Sequence, residues 1–94
     1  MTQVERIVHF ETLLDELTAA QDALERALAD FDAAQGAAAE LAAYLDGGDW
    51  RRDFEDDEAG RLPEDLKRGV LSEDALFDAL ERNGGLLERL GREA

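Results

Sequence analysis

Apolar residues recur along the first half of the chain at intervals of three and four. A seven-residue frame places Ile7, Leu14, Gln21, Leu28, Gln35 and Ala42 on one line and Phe10, Leu17, Leu24, Phe31, Ala38 and Leu45 on a second. Leu13, Ala20, Ala27, Ala34 and Leu41 flank them. Strands alternate with period two, so this spacing belongs to a helix. It predicts one long amphipathic helix over about residues 3–45. The stripe takes three positions in seven, the width of a helix packed into a bundle rather than a bare two-stranded seam. Gly36 weakens such a helix by about 1 kcal/mol against alanine. The frame nevertheless passes through it in phase, which favours a continuous helix over a hairpin at Gln35-Gly36.

A helix of about 43 residues is about 65 Å long. A compact chain of 94 residues has a radius of gyration of about 12 Å. Such a rod cannot bury its stripe alone. Either the second half folds back over it, or a second copy covers it, or both.

The second half is punctuated differently. Asp46-Gly47-Gly48-Asp49 reads as a turn over 46–49, followed by a helical segment over about 50–59 that carries Trp50 and Phe54. Glu55, Asp56, Asp57 and Glu58 then crowd the negative end of that helix. Either Arg61, Lys67 and Arg68 neutralise them, or the segment is irregular. Pro63, followed by Glu64 and Asp65 and closed by Lys67-Arg68-Gly69, predicts a short helix over 63–68. Ser72 reads as the N-cap of a helix over 72–83, with Glu73 and Asp74 in its first turn and Leu71 and Leu76 as a hydrophobic staple. Asn83-Gly84-Gly85 reads as its stop, and a last segment over 85–92 carries Leu86, Leu87 and Leu90.

Composition supports helix throughout. Val, Ile and Thr are scarce among abundant Leu, Ala, Glu, Asp and Arg, which disfavours sheet. Hydrophobic residues make up 45% of the chain, enough for a folded core despite a formal net charge of -14. Without cysteine there is no disulfide or zinc-thiolate chemistry. No run approaches the ~20 apolar residues of a membrane span, and Met1-Thr2-Gln3-Val4-Glu5 does not read as a signal peptide. The expected location is the cytoplasm. The expected architecture is an all-α single domain over 1–94, a helical bundle in which shorter C-terminal helices fold back on the long N-terminal one.

The run from Trp50 to Asp74, with Leu62-Pro63-Glu64-Asp65-Leu66-Lys67-Arg68-Gly69-Val70-Leu71-Ser72-Glu73-Asp74 at its centre, is distinctive. It resembles an uncharacterised family of short bacterial proteins known only as a domain of unknown function (DUF4298-like). The likeness covers nearly the whole chain, is most specific from Tyr44 to Phe77, and departs at Leu45, where a second Tyr is expected. It implies a bacterial, cytosolic, helical protein and carries no activity to any residue.

Catalytic chemistry has little to work with. Ser72 is the only serine and His9 the only histidine; the cap explains the first, and the second sits off the stripe. No nucleophile–base–orienter set is in view, and no glycine-rich phosphate loop either, so neither an enzyme nor a cofactor is expected. Asp53, Glu55, Asp57 and Glu64 match positions 1, 3, 5 and 12 of a calcium-loop frame. Glu58 replaces its obligatory glycine and Pro63 intrudes, leaving Asp53, Asp57 and Glu58 as weak metal candidates. The charge repels nucleic acid, and no membrane partner is expected.

The inverse role, an acidic decoy mimicking DNA, meets a spacing problem. The acids Glu5, Glu11, Asp15, Asp22, Glu25 and Glu40 on the long helix recur every 3 to 15 residues, about 4.5–22 Å, against one charge per about 1.7 Å of duplex. Only the Asp53–Glu58 cluster is dense. The remaining surface is the stripe, where Phe10, Leu14, Leu17, Leu24, Leu28 and Phe31 form a candidate interaction face for a protein partner or a second copy, with a homo-oligomer, possibly a dimer, expected.

Overall fold

The computed structural model describes residues 1–72 and 74–92. Among them the chain is all helical: α1 (Gln3–Asp46), α2 (Asp49–Glu58), a 3₁₀ turn η1 (Gly69–Leu71) and α3 (Ala75–Arg89). It divides into two compact units, Met1–Gln35 and Gly36–Ala94.

The first unit is the N-terminal part of α1. Its start is a reciprocal capping box: Glu5 N–H donates to Thr2 Oγ1, and Thr2 N–H to Glu5 Oε1, both at 3.1 Å. Two of the donors that a helix start leaves unpaired are thereby satisfied. The bond from the Thr2 backbone, followed by that with its hydroxyl, holds the Glu5 carboxyl below its usual range. The signal was in the sequence as Thr-x-x-Glu. Further on, Thr12 and Thr18 turn their hydroxyls back onto the carbonyls of Val8 and Leu14, so each hydroxyl proton is engaged within the helix while the side chain stays exposed. The helix is unbroken at Gly36, as the in-phase frame requires.

The second unit is built on the short turn η1, against which both α2 and α3 pack. Its most buried residues are Leu71 of η1 and Leu76 and Leu87 of α3, at 4–8% exposure. Leu76 and Leu87 are eleven residues apart, about three helical turns, and so share one face. Leu71 and Leu76, the expected staple pair, are both in this core.

Three boundaries differ from expectation. No helix forms over 63–68. The Pro63 carbonyl, which a helix would offer to the Lys67 N–H, instead accepts from Leu66 N–H at 3.3 Å and from Arg68 Nη2. Six residues barely nucleate a helix, and the guanidinium competes for the carbonyls. Ser72 closes η1, its N–H donating to Gly69 O at 3.2 Å, and α3 starts later, at Ala75 beside Asp74. Glu73, expected in that first turn, lies outside the described residues.

Finally, α3 runs through Asn83-Gly84-Gly85, so the expected segments 72–83 and 85–92 share a single helix. Continuing costs about 1 kcal/mol per glycine, whereas burying one leucine returns roughly 1.5–3 kcal/mol. Leu87 lies just beyond the glycines, with Leu86 half-buried beside it.

The stops of α2 and α3 lie where glycine takes the left-handed conformation. Gly60 has φ 72° and Gly91 φ 71°. After α2, Gly60 N–H bonds to Asp57 O and Arg61 N–H to Asp56 O; after α3, Gly91 N–H bonds to Glu88 O and Arg92 N–H to Leu87 O. Both are complete Schellman closures.

Candidate functional site

The face expected to bind a partner is open in the first unit. Phe10, Leu14, Leu17 and Leu24 keep 53–58% of their surface exposed, and Ile7 and Leu13 are exposed beside them. Leu28 and Phe31, nearer the unit's end, are half-buried. Ile7 to Phe31 spans about 36 Å of helix. Scattered surface leucines are ordinary, whereas these large apolar side chains stand along a single helical face. His9 stands beside this line, its ring edge-on to Phe10 with centroids 5.1 Å apart.

The acidic candidates lie on α2 in the second unit, and the fold gives them separate tasks. Asp53 accepts a 2.6 Å hydrogen bond from the Tyr44 hydroxyl, joining the end of α1 to α2. Asp57 meets Arg68 Nη1 at 2.5 Å. Asp56 meets Arg61 at 2.9 Å. Cations from the following loop thus neutralise the crowded end of the α2 dipole, one of the two resolutions open from the sequence.

Glu58 shares an open cleft of about 360 Å³ with Phe54, Asp57, Arg68, Leu71 and Asp74. Among the described residues, no three Asp, Glu or His side chains gather in an arrangement that could hold a metal ion. The calcium-loop spacing of Asp53, Glu55, Asp57 and Glu64 is therefore not matched by a loop: the first three sit on a regular helix, whereas that geometry needs a sharply turned chain around the ion.

Sequence reasoning named Trp50, Phe54 and Arg68 but missed the bonds by which Trp50 and Arg68 tie the loop to α2. Trp50 Nε1 donates to Val70 O at 2.8 Å, and its ring stacks on Phe54 at 5.1 Å. Arg68 forks between Asp57 and the carbonyls of Pro63 and Leu66. A planar guanidinium with five donors suits that three-way role, which a lysine could not fill. The available signal was composition: an arginine beside an acidic helix end and the only tryptophan one turn before a phenylalanine.

No described helix is long and apolar enough to cross a membrane. No curated protein and no solved structure shows significant similarity to the chain. The model of the family described as Domain of unknown function (DUF4298) matches residues 7–92, covering both the apolar face and the Arg68 clasp. The chain belongs to that family.

Proposed function

We propose that the protein is a non-enzymatic, cytosolic protein-interaction module that works through the apolar face of α1. One observation carries this reading. Phe10, Leu14, Leu17 and Leu24 lie on one helical face and are more than half exposed. Fully burying one leucine-sized side chain gains roughly 1.5–3 kcal/mol, and each of these four still has about half of its surface to cover, which together favours a covering surface. Helices that bind in grooves or to other helices present anchors three, four and seven residues apart, and these four stand at i, i+4, i+7 and i+14.

The acidic-decoy reading loses support at its densest point. Asp56 and Asp57 are paired with Arg61 and Arg68 within the chain, which removes charge that a basic groove would need to meet.

Leu17→Asp and Leu24→Asp test the proposal. Each leaves helix-forming side chains around it and places a charge in the face. Association should be lost while helicity is retained; unchanged mass and unchanged binding would defeat the reading. Capture that weakens steeply with salt and ignores both substitutions would point to the acidic surface instead.

A further inference from the structure

We propose that the occupant of the α1 face is a second copy of the chain, paired parallel and in register; this rests on reading that face as the interaction surface. The two lines of the stripe repeat every seven residues from Ile7 to Phe31, the repeat that keeps one helix facing another over several turns. The third line, which widens the stripe over the whole helix, has Leu13 as its one large apolar side chain before Gly36, beside Ala20, Ala27 and Ala34, so in the first unit the seam narrows to the width two helices need.

The flanks decide the orientation. On the side preceding the first core line stand Arg6, Leu13, Ala20 and Ala27. On the side following the second stand Glu11, Thr18, Glu25 and Asp32. All eight are exposed. In a parallel pair each residue of the first flank meets the residue five positions on in the other copy. Arg6 then meets Glu11 of the second copy, twice by symmetry, and Leu13, Ala20 and Ala27 meet Thr18, Glu25 and Asp32. No like charges oppose each other. In an antiparallel pair the second flank faces itself, setting Glu11, Glu25 and Asp32 against the same acids, which costs binding.

Register follows from Gln21, the polar residue on the first core line between Leu14 and Leu28. An amide both donates and accepts, so two in-register glutamines satisfy each other. A slip of one heptad sets each against leucine and leaves it unpaired.

The chain has no native cysteine, so single nitroxide labels at Thr12→Cys and Ala33→Cys, both exposed and on the side of α1 opposite the stripe, report the arrangement directly. The proposal expects a species of twice the chain mass and the same short label separation at both sites, about 30 Å, two helix diameters plus the labels. An antiparallel pair centred on the stripe would offset the Ala33 labels by about 42 Å along the axis and the Thr12 labels by about half that. Unequal distances of that kind overturn the parallel arrangement and leave the face as an interface.

Arg6→Glu should weaken association several-fold, and adding Glu11→Arg should restore it at unchanged net charge. Failure to restore overturns the Arg6–Glu11 pairing. A monomer at every concentration, with its helix intact, overturns the second copy altogether. Whether Leu24→Asp still abolishes capture of a different protein then decides separately if the α1 face itself was misread.

Discussion

The Tyr44 hydroxyl donates a 2.6 Å hydrogen bond to Oδ2 of Asp53, across the turn between α1 and α2. That bond, then burial and the nearby charges of Asp53 and Asp49, pushes the phenol up to about 12 from its ordinary 10. The fold therefore favours the neutral phenol. Its contribution is fully present below pH 10 and is lost as pH rises through about 12.

Tyr44 is the only tyrosine, so tyrosinate absorbance reads it alone. The titration midpoint should lie near 12 in the folded chain and near 10 in urea. Tyr44→Phe should cost about 1 kcal/mol at neutral pH and flatten the stability profile between those two values. A folded-state midpoint near the ordinary value would show the bond to be absent in solution.

The Arg68 clasp is the second test. Removing a guanidinium that bonds Asp57 and two carbonyls strands a half-buried carboxylate and frees the loop after α2. Arg68→Ala should lower stability by about 2 kcal/mol, on the scale of a charge-assisted hydrogen bond. Arg68→Lys should recover less than half of that, because an ammonium cannot fork. Urea midpoints of the two variants decide it, and equal midpoints for lysine and arginine would rule out the three-way geometry.

The two glycines within α3 and the one just beyond its end should respond with opposite signs. A Cβ at Gly84 or Gly85 meets nothing within 4 Å, and neither residue has positive φ. Alanine at either position should stabilise by about 1 kcal/mol. Gly91, at φ 71°, terminates the helix, and alanine there should destabilise by about 1–2 kcal/mol through left-handed strain. Thermal melts of the three variants check this. Destabilisation by Gly84→Ala would mean that the helix breaks at Asn83-Gly84-Gly85 after all.

Salt gives a fourth test. With a formal net charge of -14, self-repulsion opposes the compact state, and screening relieves it. The melting temperature should rise between low and moderate salt at neutral pH. A flat or falling value would mean that internal pairs such as Arg68–Asp57 and Arg61–Asp56 outweigh the repulsion.

What was legible in the sequence divides at about Gly47-Gly48. The extent of α1 could be read closely because a repeat sustained from Ile7 to Leu45 is a strong signal. The stop near Gly47-Gly48 was equally plain. The second unit depends on pairs such as Asp57–Arg68 and Trp50–Val70, separated by 11 and 20 positions. Such contacts leave no periodic trace, so local rules at Pro63 and Ser72 suggested a helix and a cap that the Arg68 clasp and the η1 turn displace. Gly84-Gly85 misled for a related reason: glycine stops a helix by its conformation, and Leu76 and Leu87 hold these two in helical geometry. The candidate face itself was visible as a pattern. Its exposure was not, since a stripe reads the same whether covered or bare.

The central claim is that the α1 face binds protein. Its most direct test is quantitative capture from lysate of the native source, using tagged wild type and tagged Leu17→Asp/Leu24→Asp side by side, each read by mass spectrometry at two salt concentrations. The wild type should retain one protein in near-equal amount, either untagged copies of the chain itself or a single different partner, at both salts, and the variant should retain none. Equal capture by the two baits, or none by either while both remain helical, would contradict the claim.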